Sequence, residues 1–180
     1  MAYLITRIAA HATIQKLILI GTISLAIRFG LMPMLGAEMM TSPEAGPLDL
    51  MFAYSPTEAF AKLVAFSDVG RSAYRSFLLT ADIIYPVSYT LFFLWSIALL
   101  GRQSDMQNDA KLMTAPLLLL VFDMLENTTI ILLLTLYPSK PVALALVASV
   151  FTTTKWIFAG LTMFQIAVML VQIALKNRIH

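Results

Sequence analysis

Residues 116–136 read PLLLLVFDMLENTTIILLLTL. The run is apolar and long enough to cross a bilayer as a helix, which takes about 20 residues. Yet Asp123, Glu126 and Asn127 stand at its centre. Spacings of three and four put all of them on one helical face. A carboxylate at that depth costs roughly 2.5–3.5 kcal/mol even on the mildest insertion scale. Other groups in the chain must answer these side chains, and a bundle of helices around a polar interior is the arrangement that lets them.

The composition agrees with that reading. Of 180 residues, 59% are hydrophobic and 12% charged, against about 25% charged in soluble domains. The sequence therefore predicts an all-α, polytopic membrane protein forming a single transmembrane domain over residues 1–180. The absence of cysteine excludes disulfides, thiol catalysis and iron–sulfur clusters. The only histidines, His11 and His180, lie near the ends, so an intramembrane haem or zinc site would lack its usual ligands. The formal charge of +2 is small and scattered, which argues against a nucleic-acid partner.

Working outward, four spans are expected, at about 17–35, 77–100, 113–136 and 141–172, with apolar sequence continuing to Leu175. The first could be mistaken for a cleaved signal. Its length, Arg28 within its apolar core and Leu35 at the position before Gly36-Ala37 favour an uncleaved helix. Lys and Arg in the flanks set orientation. Arg7, Lys16, Arg102, Lys111, Lys176 and Arg178 fall on one side, and Lys62, Arg71, Arg75 and Lys140 on the other. The bias places both termini in the cytoplasm, with a bacterial inner membrane as the expected location.

The outer loop, residues 37–76, has its own signals. Thr41–Pro47 is rich in Pro, Gly and Ser and reads as loop. Ser55-Pro56-Thr57-Glu58 is a capping box with proline at the first helical position. It opens a short amphipathic helix, about 56–67, that should stop before Gly70. Ala59, Phe60, Leu63, Val64 and Phe66 form its apolar side. A helix resting on the outer surface of the bundle or in the headgroup region is the preferred reading; a lid over the polar site is the sharper one. In the second span, Pro86 removes a backbone hydrogen bond, so the carbonyl near Asp82 is freed, either at a plain structural kink or as a ligand-binding group.

Helix rise places the intramembrane ionisable groups by depth from the outer end: Asp82 at roughly 9 Å, Arg28 about 12 Å, Glu126 about 15 Å, and Asp123 and Lys155 about 20 Å. All five fall in the outer half or near the middle. Asp82, Tyr85 and Tyr89 share one side of the second span, and Gly21, Ser24 and Arg28 one side of the first. Ser149, Thr152, Lys155, Ala159 and Thr162 make a small-and-polar stripe on the fourth, the residue type that membrane helix interfaces use. Asp123 and Glu126 are the candidate acid/base pair, one turn apart and able to share a proton. Arg28, Asp82, Tyr85, Tyr89, Asn127, Lys155 and Trp156 are the candidate ligand-binding residues.

Three functions compete. The first is binding of a small apolar molecule or lipid inside the bundle, with acid/base chemistry by paired carboxylates in a low-dielectric pocket. In general architecture, a small bundle enclosing Asp123 and Glu126 is similar to the sterol-isomerase and sigma-2-like membrane family; the likeness is architectural and carries no residue roles. The second is a non-enzymatic accessory subunit, whose polar groups would meet a protein partner. The third is proton or solute transport, which a chain this small with no evident repeat would perform as a homo-oligomer. Against these stands the plain alternative that the charges only fix helix register. No cofactor is implied. A metal is disfavoured, because Arg28 and Lys155 compete for the oxygens of Asp82, Asp123, Glu126 and Asn127.

Overall fold

The computed structural model describes residues 7–104 and 110–179; of the residues singled out above, only His180 lies outside them. The described residues are helical with no strand. Four helical stretches are long and apolar enough to cross a membrane: Ile14–Ala37, Asp68–Gln103, Lys111–Leu136 and Val142–Arg178.

Helix α1, Ile14–Ala37, starts at Thr13, whose hydroxyl accepts from the Lys16 amide at 3.3 Å. Its regular winding widens to a π-helical turn over Ile27–Leu31 and then resumes over Met32–Ala37. Pro33 explains the widening: its ring would crowd the Phe29 carbonyl in a regular α-turn, and one wide turn relieves that contact. Arg28 lies on this turn.

Helix α2, Pro56–Ala65, carries the capping box in full, with Ser55 and Glu58 each bonded to the other's backbone N–H. Helix α3, Asp68–Leu79, follows at once, capped by the Ser67 hydroxyl at Gly70 N. Gly70 therefore belongs to the first turn of a helix that the sequence reading had left out. It is glycine for space, since a Cβ there would meet the Met39 carbonyl at 2.9 Å. Thr80, at φ −124° and ψ −87°, breaks the path before α4, Ala81–Gln103. Helices α5, Thr114–Leu136, and α6, Val142–Ile179, form the closest-packed pair. At 38 residues, α6 is roughly 57 Å long.

Helix α4 packs against α1, α5 and α6, and α3 packs against α1, α4 and α5. Apolar side chains collect in two clusters. One gathers Leu48, Phe66, Tyr74, Leu78, Ile130, Leu133 and Ala148. The other gathers Ala12, Leu94, Ile97, Met113 and Met169. Along α4, α5 and α6 the buried polar residues Asp82, Ser88, Asp123, Glu126, Asn127 and Lys155 fall between them. The bundle thus encloses a polar layer with an apolar cluster on either side, and close van der Waals packing in those clusters holds the helices around the layer.

Candidate functional site

Lys155 is the centre of the polar layer. It is 8% exposed, and its ammonium bonds the Glu126 carboxylate, lies 3.5 Å from Asp123 Oδ1 and donates to the Asp49 carbonyl at 3.2 Å. The Tyr89 hydroxyl donates to Asp123 Oδ2. Asp123 and Glu126 therefore share an ammonium rather than a proton. The one-turn spacing of the two acids on α5 does what the sequence implied geometrically, and α6 supplies the cation between them.

Asn127, 3% exposed, answers the proline of the neighbouring helix. Pro86 has no N–H for the carbonyl four residues back, and Asn127 Nδ2 donates to that carbonyl, Asp82 O, at 2.7 Å. The group freed by the kink is thus occupied by a side chain of α5, and the ligand-binding reading of this carbonyl gives way to a structural one. Ser24 and Ser88 join α1 to α4 by a 3.0 Å hydrogen bond.

Beside this layer lies a cavity of about 610 Å³, within the usual range of small-molecule sites. Arg28, Asp82, Tyr85, Tyr89, Asp123, Lys155 and Trp156 line it, whereas Glu126 and Asn127 do not. Depth along α5 had put Glu126 nearer the opening. Direction around the helix decides otherwise: Asp123 faces the cavity, and Glu126, at 0% exposure, sits behind Lys155. The rest of the wall is mainly apolar, from Met32, Phe77, Phe93, Leu119 and Met163 among others.

The roof is the loop before α2 rather than α2 itself. Met39, Met40, Pro47, Asp49 and Leu50 line the cavity, and no residue of α2 does. Side chains of α6 hold this loop down. Trp156 Nε1 donates to Met51 O at 3.0 Å, Thr153 to Phe52 O at 3.0 Å, and the Tyr54 N–H donates to Ser149 Oγ at 3.0 Å. Trp156 is thus both an anchor for the loop and part of the wall. Burial pushes the Tyr54 phenol above its ordinary range, so it stays neutral beside Thr152.

Asp49 is the site residue that the sequence did not single out. It is 5% exposed and accepts from the Tyr74 hydroxyl, which in turn accepts from Leu48 N at 2.9 Å. Its only local signal is an acid between two leucines in a loop. Asp82 is 5% exposed, and among the described residues its Oδ2 has neither a hydrogen-bond partner nor an ion pair; the Glu126 oxygens also lack a hydrogen-bond partner, but Glu126 pairs with Lys155. Among the described residues no group of three or more acids or histidines could hold a metal ion.

Compared with models of known families, with characterised proteins and with solved structures, the chain has no match. Its function is argued from the site alone.

Proposed function

We propose that the chain is an integral membrane protein whose cavity binds one small apolar molecule or lipid taken from the bilayer. The observation that carries this reading is the mainly apolar cavity lined in part by Asp82, whose Oδ2 is buried and has no hydrogen-bond partner among the described residues. A buried polar atom without a partner costs about 1–3 kcal/mol, and a ligand donor reaching Asp82 would recover it. The apolar wall gives the rest of such a molecule a place to lie.

Access fits a ligand arriving sideways. Helix α1 packs chiefly against α4 and has no comparable contact with α6. Both helices contribute to the cavity wall, Met32 and Gly36 from one and Ala159 and Met163 from the other. Phe29 on α1 and Met163 on α6 are exposed, so we infer that a ligand enters from the bilayer between these two helices.

Chemistry, where it occurs, rests on Asp123. It is on the wall, and Tyr89 and Lys155 fix both of its oxygens. Glu126 then acts through Lys155 as a positioning residue. The accessory-subunit and transport readings have no comparable observation behind them.

Gly36 provides the test. A Cβ built there meets nothing within 4 Å, so Gly36→Leu should fill part of the cavity without strain. Native mass spectrometry of protein extracted in mild detergent should find a bound small molecule on the wild type and much less on the variant, with similar melting curves. A wild type that carries nothing, and that no added lipid stabilises, would end this reading.

A further inference from the structure

The charged side chains of the cavity wall differ in how well they are answered. Lys155 is held by Glu126, Asp123 and the Asp49 carbonyl. Asp123 has Tyr89 and Lys155, and Asp49 has Tyr74. Two remain. Asp82 Oδ2 is buried with no hydrogen-bond partner among the described residues. Arg28, half-buried on the π-turn of α1, makes no ion pair among the described residues; its guanidinium carbon lies 5.8 Å from the Phe29 ring, and its charge also acts on Tyr85. The unanswered charges are one negative and one positive, on two helices that border the same cavity, and no ion pair joins them.

Resting on the reading of the cavity as a lipid site, we propose that its ligand is a zwitterionic aminophospholipid of the ethanolamine type. Its ammonium donates to Asp82 and its phosphate takes the fork of Arg28. A planar guanidinium suits phosphate oxygens in pairs. A carboxylate with an unused lone pair suits an ammonium that can donate. The headgroup is net neutral, as is the pair of side chains it meets. A headgroup with a further carboxylate would find no third charge to answer it, and a trimethylated ammonium has no N–H to give Asp82. The acyl chains run along the apolar wall and out between α1 and α6, where Trp156 and Met163 stand exposed. A π-turn is a frequent mark of a functional site, and here it is what carries Arg28 at the wall.

The test uses the full chain in nanodiscs containing equal amounts of phosphatidylethanolamine, phosphatidylcholine and phosphatidylglycerol with the same acyl chains. After extraction, native mass spectrometry reads which lipid stays bound. The ethanolamine lipid should be retained about tenfold over either competitor, the scale of one charge-assisted hydrogen bond. Asp82→Asn should reduce that preference to about unity, and Arg28→Met should lower retention of all three. Equal retention of the ethanolamine and choline lipids by the wild type would overturn the proposal and needs no variant to fold. Retention of another lipid that Gly36→Leu abolishes would overturn the headgroup assignment while leaving the cavity reading intact. Retention of no lipid would overturn both. Displacement of the bound lipid by equimolar glycerophosphoethanolamine, which has the headgroup without chains, would refute a membrane source.

Discussion

Asn127 and Pro86 form a repair made across two helices. Removing the amide strands the Asp82 carbonyl in a low-dielectric layer, which costs about 1–3 kcal/mol. Asn127 Oδ1 is itself without a partner, so Asn127→Leu should fall at the low end of that range. Pro86→Ala returns an N–H to the same carbonyl and should recover most of the loss in the double variant. Thermal melts of the two single variants and the double one make the cycle, and additive losses would mean the amide has some other role. Glu126 and Asp123 should separate in the same assay. Glu126 meets Lys155 and not the cavity, so Glu126→Gln should destabilise, by up to the 3–5 kcal/mol seen when one member of a buried pair is removed. Lys155→Met should not restore it, because it strands the Asp123 carboxylate that shares the same ammonium. Asp123→Asn should instead impair ligand retention. Depth in the sequence places Glu126 nearer the outer end than Asp123, but helix rise gives depth and not which way a side chain turns relative to a neighbour of unknown position. What was legible at this scale was the residue list: Asp123, Asp82, Lys155, Arg28, Tyr85, Tyr89 and Trp156 all reach the cavity. Asp49 was not legible, since its burial depends on Tyr74 and on α6, far away in the chain.

At the scale of elements, α2 is built on local signals and should behave as a local unit. Ser55→Ala removes its cap and should cost about 1 kcal/mol, read by a melt. It should leave ligand retention unchanged, because the roof of the cavity is the loop 39–50 and not α2. Two hydrogen bonds from Ser55, through its backbone N–H and its hydroxyl, hold the Glu58 carboxyl below its usual range. A carboxyl depressed on folding adds stability that is complete above its unfolded value and is lost as pH falls through the folded one. Acid should therefore loosen α2, and Glu58→Gln should remove that part of the pH dependence, measured by hydrogen exchange of residues 56–65. The capping box made this helix readable. Helix α3 was missed because Gly70 reads as a breaker until its true constraint, the Met39 carbonyl pressed against it, is known. The anchoring of loop 49–54 by Ser149, Thr153 and Trp156 was likewise invisible, since those contacts cross about a hundred positions of chain.

For the molecule as a whole, the polar layer lies between two apolar clusters, and the bundle must hold charges that a bilayer would reject. On the proposed reading as a membrane protein, the helices cross the bilayer in one orientation, with their ends at the two aqueous faces. The flanks argue which. Six Lys and Arg residues lie beside the N-terminus, the α4–α5 connection and the C-terminus, against four in the segments between the other ends. Cytoplasmic flanks carry such excesses because positive charge resists export during insertion. The α5–α6 turn, with Ser139 exposed, then faces outward, and Ser104 at the end of α4 faces the cytoplasm. The chain has no cysteine, so single replacements report without background. Ser139→Cys in intact cells should react with a membrane-impermeant maleimide, and Ser104→Cys should react only after the membrane is opened. With that proposed orientation the cavity would lie in the outer-leaflet half of the bundle, at the end where the loop before α2 lines it. The reverse labelling pattern would turn the protein over and move the cavity to the cytoplasmic leaflet, changing which lipids can reach Asp82 and Arg28.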